Sequence, residues 1–169
     1  FVPNHQGSFD IFLIYGFIGR NFKWMMKKSL RKIPFVGKAG QLMNKAFEGL
    51  GIDRKKIYIA NIVKCRPPNN RVPEVDEAQA CLNYLRNQVI LVKPQIIVLM
   101  GSTALQNILG KEYKITTTRG HWIERKGIMY MPTWHPAALL RDENKKIDFW
   151  KDLKKVLEMC EELKTEIGI

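Results

Sequence analysis

An unbroken apolar run, Ile96-Ile97-Val98-Leu99-Met100, ends in Gly101-Ser102 and leads at once into a helix-like stretch, Thr103 to Leu109. A strand that is apolar on both faces must be covered on both faces, as parallel strands are in layered α/β proteins. The flanking sequence agrees. Lys38 to Leu50 places Leu42, Met43, Ala46, Phe47 and Leu50 at helical spacing, with Gly51 as a stop. Ile57 to Val63 is β-rich, and Arg66 to Pro73 is broken by Pro67, Pro68 and Pro73. Glu74 to Val92 reads as a helix with Ala78, Cys81, Leu82, Leu85 and Val89 on one face. His121 to Arg125 and Ile128 to Pro132 read as two strands about Lys126-Gly127, and Trp134 to Arg141 as a loop or short turn. Ile147 to Glu166 is a closing amphipathic helix carrying Trp150, Leu153, Val156, Leu157, Cys160 and Leu163. The alternation predicts a three-layer α/β/α sandwich with a short, mostly parallel sheet. Its first strand is either missing or improvised from Asp10 to Tyr15. Sites in such folds gather at the C-terminal ends of strands.

The charge narrows the partners. The 169 residues carry 28 Lys and Arg against 16 Asp and Glu, a net +12. Between Arg20 and Arg66 only Glu48 and Asp53 oppose a dense basic run. Such a surplus attracts a polyanion, nucleic acid or an anionic membrane, although charge alone also describes a merely soluble basic protein. No apolar run reaches the roughly 18–20 residues needed to cross a bilayer; the longest is Ile11 to Ile18. The chain begins at Phe1, so targeting is not fully readable. Three cysteines, Cys65, Cys81 and Cys160, argue against a disulfide framework and for a reducing compartment. A cytoplasmic monomer is expected.

Three short segments stand where strands end or helices begin. They are Pro34-Phe35-Val36-Gly37-Lys38-Ala39-Gly40-Gln41-Leu42, Asn61-Ile62-Val63-Lys64-Cys65-Arg66-Pro67-Pro68 and His135-Pro136-Ala137-Ala138-Leu139-Leu140-Arg141. In this order and spacing, over about residues 34–163, they resemble the family 4, iron–sulfur uracil-DNA glycosylases. The resemblance implies the fold of that family and hydrolysis of the bond between uracil and deoxyribose in DNA, the opening step of base excision repair. The base must leave the stack to be reached.

Roles follow from the resemblance. Phe35 would stack on the extruded ring; taken alone it reads as a core Phe. Asn61 would hydrogen-bond the O4/N3 edge of uracil, its NH2 donating to O4 and its carbonyl accepting from N3–H; taken alone it stabilises a turn. Cytosine reverses both polarities, and unpaired buried groups reject it. His135 would stabilise negative charge on O2 of the departing base, charge that develops only in the transition state. His121 has no such context and reads as a surface or hairpin residue. Lys64, Arg66, Leu139 and Arg141 would contact DNA, with Leu139, Leu140 and Arg141 forming the loop that fills the duplex gap and holds a phosphate; ordinary packing is the alternative. Cys65 and Cys81 match two of the four cysteine ligands of the family's [4Fe–4S] cluster. Cys81 and Cys160, taken alone, are core residues on helix faces.

Two features of the family are missing. No cysteine precedes Cys65, so four ligands cannot come from this chain. The Gly-Glu-x-Pro-Gly-type segment that helps hold the attacking water is replaced by Gly16-Phe17-Ile18-Gly19, which has no carboxylate. Weak or absent activity is therefore expected. Residues 1–39 instead resemble the start of the 1-acylglycerol-3-phosphate acyltransferases. Asn4-His5-Gln6-Gly7-Ser8-Phe9-Asp10 matches their Asn-His-(four residues)-Asp motif. There His5 would act as general base, oriented by Asp10. That family's later Phe-Pro-Glu-Gly-Thr-Arg-type phosphate site is absent. The expected division is an acyltransferase-like fragment, 1–36, and a glycosylase-like domain, 37–169, joined at the shared Pro34-Phe35-Val36-Gly37. A membrane-surface acyltransferase and a basic nucleic-acid-binding module without chemistry are the competing readings.

Overall fold

The computed structural model describes residues 11–14, 38–53, 56–64, 71 and 73–167, with 11–14 and 164–167 described as backbone alone. In chain order the elements are β1 (Ile11–Ile14), α1 (Lys38–Gly49), β2 (Ile57–Ala60), α2 (Val75–Val92), β3 (Ile96–Met100), α3 (Gly101–Ile108), α4 (Ile115–Thr118), β4 (Ile123–Arg125), β5 (Ile128–Thr133), α5 (Pro136–Leu139) and α6 (Asn144–Ile167). The strands form one five-stranded sheet in the order β2-β1-β3-β5-β4.

Strand β3 shows why the layers form. Every residue of it is buried, and alternate side chains leave it in opposite directions. Ile97 and Leu99 join Ala78, Leu85 and Val92 of α2 and Ala104 and Leu105 of α3 on one face. Ile96, Val98 and Met100 join Met43 and Phe47 of α1, Leu139 of α5 and Phe149, Leu153 and Val156 of α6 on the other. The result is the expected α/β/α sandwich with a core on each side of the sheet.

The sheet differs from expectation in one respect. Of its four pairings only β3 with β5 is parallel. The β4–β5 pair is a hairpin turned by Lys126 and Gly127, both at positive φ, the geometry of a two-residue turn that suits strand twist. Strand β1 lies between β2 and β3 and is antiparallel to both. The sheet is therefore mixed rather than mostly parallel. The expected improvised first strand is Ile11–Ile14, and an antiparallel insertion leaves its neighbours pointing the same way as each other.

That arrangement positions the site. Because β1 opposes both β2 and β3, those two run in one direction, and β5 runs with them. Ala60, Ile11 and Leu99 stand opposite one another across the sheet, and Met100 pairs with Thr133. The residues that follow β2, β3 and β5, namely Asn61, Gly101 and Trp134-His135, consequently emerge along one edge. Across three strand spacings the Asn61 and His135 ends are separated by roughly 14 Å, room for a planar heterocycle held between two side chains.

Candidate active site

Asn61 follows the last residue of β2. Ile62, fully buried, anchors the turn. The Lys64 ammonium donates to the Asn61 carbonyl and to Gln88 Oε1, each at 2.8 Å, and the Lys64 backbone N–H donates to Cys81 Sγ at 3.3 Å. Both tie the loop to α2. The Asn61 side chain is thus offered by a fixed backbone. Its Oδ1 is buried and accepts no hydrogen bond among the described residues. A buried acceptor left unsatisfied is costly unless a ligand completes it.

Lys64 was expected on DNA, and the structure turns it inward instead. Burial holds its ammonium below the ordinary lysine pKa, with a smaller opposing pull from Cys81. An ammonium already committed to Asn61 and Gln88 is a brace rather than a phosphate contact.

His135 caps the short helix α5. Its Nδ1 accepts the Ala137 backbone N–H at 3.0 Å. An occupied Nδ1 lone pair assigns the ring proton of the neutral imidazole to Nε2, so the far nitrogen is a donor. The His135 Nε2 atom is buried. Pro136 follows at the first helical position, where its missing N–H costs nothing. Gly101, at φ +86°, lies against the same residue: a Cβ placed there would stand 2.9 Å from His135 Cβ. The β3–α3 corner is therefore glycine for two reasons, its backbone angle and the imidazole stem beside it.

The tail of this segment corrects a second expectation. Leu139, expected to enter the duplex, is 1% exposed and belongs to the core under α1 and α6. One residue on, Leu140 is 45% exposed. Helix geometry made the difference: successive residues are turned by about 100°, so Leu140, at the C-cap, leaves the face that buries Leu139. Arg141 is exposed, with Nε donating to the Ala137 carbonyl at 3.4 Å. His121 is exposed as expected, its Nδ1 3.0 Å from the Arg119 carbonyl. Phe35, Cys65, Arg66, His5 and Asp10 lie outside the described residues.

A polar cluster behind β5 escaped the sequence reading. Thr133, fully buried, donates to Asp152 Oδ2 at 2.7 Å. Arg119 donates to the same carboxylate through Nε at 3.2 Å and NH2 at 2.8 Å, and its NH1 lies 3.3 Å from Asp148 Oδ2. Trp134 Nε1 reaches Asp148 Oδ2 at 3.5 Å. Asp152 is 1% exposed. Its signal was present: Phe149, Asp152, Leu153 and Val156 share helical spacing, so an acid stood on the apolar face of a Lys-rich helix.

The cysteines do not fit a four-thiolate cluster. The chain has three. Cys81 lies beside the loop after β2, on α2. Cys160 packs with α6 against the core on the other side of the sheet. Among the described residues no group of three or more potential metal ligands gathers.

An acceptor at Asn61 and a donor at His135, carried at the ends of strands along one sheet edge, suit a flat ring that pairs an N–H with a carbonyl. The uracil DNA glycosylase superfamily model matches residues 24–155, beginning within the stretch read as acyltransferase-like. The type-4 uracil-DNA glycosylase of Thermotoga maritima is 42% identical over 68% of this chain and 60% of its own length. That of Sulfurisphaera tokodaii is 42% identical over 75% and 62%. That of Archaeoglobus fulgidus is 36% identical over 79% and 71%. The chain thus spans about three-fifths of the length of the first two relatives.

Proposed function

Since the chain belongs to the uracil-DNA glycosylase superfamily, among its type-4 members, we propose that it excises uracil from DNA. The observation that carries the proposal is the buried, unsatisfied Asn61 Oδ1 on the same sheet edge as the Nε2 donor of His135. The three relatives, all named uracil-DNA glycosylases, support it.

In the proposed reaction an extruded uracil lies between the two ends. Asn61 Oδ1 accepts from N3–H, and its NH2 donates to O4. The C1′–N1 bond breaks, and its electron pair leaves with the base. His135 Nε2–H donates to O2 as that charge grows, a contact stronger in the transition state than before it. Water adds its oxygen to C1′, and the proton balance returns to uracil. Cytosine would set an acceptor against Asn61 Oδ1, which costs about 1–3 kcal/mol for the buried pair. The resemblance adds Phe35 as a stacking platform and Arg66 and Arg141 as phosphate contacts. Leu140 replaces Leu139 as the wedge, because it is the exposed leucine of α5 and its exit. No step runs through an iron–sulfur cluster, since the thiolates for one are lacking. On this reading the chain acts on DNA as a monomer in a reducing, cytoplasmic compartment, in keeping with its three sparse cysteines. Its acyltransferase-like beginning, with His5 and Asp10, remains a proposal about origin rather than about this chemistry.

The test is incubation of excess protein with single strands containing uracil or 5-fluorouracil, followed by alkaline cleavage. Slow formation of abasic sites at uracil and faster formation at 5-fluorouracil, whose fluorine makes a better leaving group, is expected. Strands that stay intact with both bases would contradict the proposal. Rates in the ordinary enzyme range of about 1–10³ s⁻¹ would contradict the expected impairment alone.

A further inference from the structure

Behind β5 stands one buried carboxylate, Asp152, with the partly buried Arg119 paired to it, and burying such charge is expensive. A buried pair recovers its desolvation cost only through full hydrogen bonding, and is weak evidence for stability as such. Here the bonding converges on one place. Consecutive residues Thr133 and Trp134 donate to Asp152 and Asp148, which stand one turn apart on α6. Arg119 spans both carboxylates. The next residue after this doubly tethered pair is His135.

The tether is itself enclosed. Gly120 N–H donates to the Pro132 carbonyl at 2.9 Å, and Lys155 Nζ donates to the Gly120 carbonyl at 2.8 Å. A Cβ on Gly120 would stand 2.7 Å from Asp152 Oδ1. From the opposite side the Gly101 backbone meets His135 Cβ. The end of β5 is therefore held to α6 by Arg119 and its two acids and pressed from β3 by a glycine corner.

We propose that Thr133, Asp152 and Arg119, with Gly101 as the opposing stop, are positioning residues that aim His135 Nε2 at the leaving-group oxygen. This rests on the role given to His135 above. A donor displaced by about 1 Å loses much of its effect on developing charge. The tether thus acts on the chemical step rather than on strand binding.

The prediction is a dependence on the leaving group. Single-turnover rates are measured on uracil and 5-fluorouracil strands for the parent, Thr133→Val, Asp152→Asn, Gly101→Ala, His135→Ala and the Thr133→Val/His135→Ala pair. Strand affinity and thermal unfolding are followed in parallel. Thr133→Val removes one hydroxyl at nearly constant shape, so it remains informative where Asp152→Asn, which strips Arg119 of its partner, fails to fold. The expected result for Thr133→Val is a loss of about tenfold on uracil, a smaller loss on 5-fluorouracil, unchanged strand affinity, and little further loss in the His135→Ala background. Equal losses on both bases, or full additivity with His135→Ala, would overturn the positioning role. If His135→Ala itself loses equally on both bases, the reading of His135 falls, which is a separate outcome.

Discussion

At the residue scale, two atoms carry the account: an acceptor that nothing among the described residues satisfies and a donor whose tautomer is set by its own helix. Removing the donor by His135→Ala should lower the single-turnover rate on uracil about 10²–10³-fold, the usual effect of deleting one charge-stabilising donor, with strand affinity retained. Asn61→Ala should cost about ten- to a hundredfold in rate while leaving the protein as stable or more so, because an unsatisfied buried oxygen disappears. Stability and rate moving in opposite directions would mark Asn61 as functional; a loss of stability without loss of rate would mark it as a turn residue. Leu139 of α5 and Leu140 at its C-cap make a sharper pair. Leu139→Ala should destabilise by about 2–5 kcal/mol through a core cavity. Leu140→Ala should leave unfolding within about 0.5 kcal/mol of the parent and weaken action on duplex DNA. The segment from His135 to Arg141 was legible as the turn after a strand, yet which leucine faces out was not. That depends on where the helix begins, and the proline after His135 sets it.

At the element scale, the strands and helices were readable because their periodicities are strong. The apolar run of β3 and the 3.6-residue spacing in α1, α2 and α6 leave little choice of partner face. The direction of β1 was not readable, since four apolar residues pair equally well either way and only the surrounding chain decides. Lys64 was misjudged because a lysine after a strand looks the same in sequence whether it reaches solvent or folds back onto Gln88. Its inward turn has a pH signature. The folded state holds the Lys64 pKa below its ordinary 10.5, so the unfolded chain binds more protons between those values. Stability should therefore gain with rising pH through that window relative to Lys64→Met, which lacks the group. Parallel curves for the two proteins, followed by denaturant melts from pH 8 to 11, would contradict its burial. The hairpin offers a simpler check. Lys126 holds φ 54° ahead of Gly127, an angle asparagine tolerates better than lysine. Lys126→Asn should raise the unfolding free energy slightly, by roughly a few tenths of a kcal/mol, read as a higher denaturant midpoint.

For the whole molecule, the net +12 and the single working edge of the sheet act together. On the proposed function, the charge gathers DNA of any sequence and the edge selects the base. Strand affinity should fall steeply with salt, linearly in log–log form, while the ratio of uracil to cytosine cleavage stays constant across the same range. A ratio that collapsed with salt would place selectivity in the basic surface instead. Of the polar cluster behind β5, Asp152 was visible in the sequence as an acid on the apolar face of α6; its partners Arg119 and Thr133 were not, because they meet it only once the sheet is in place.

The central measurement is a crystal structure of the protein with uracil and an abasic single strand. The account predicts one ring on the edge formed after β2, β3 and β5, its N3 within hydrogen-bond distance of Asn61 Oδ1 and its O2 within hydrogen-bond distance of His135 Nε2. Uracil bound elsewhere, or touching one of these side chains with the other turned away, would contradict it.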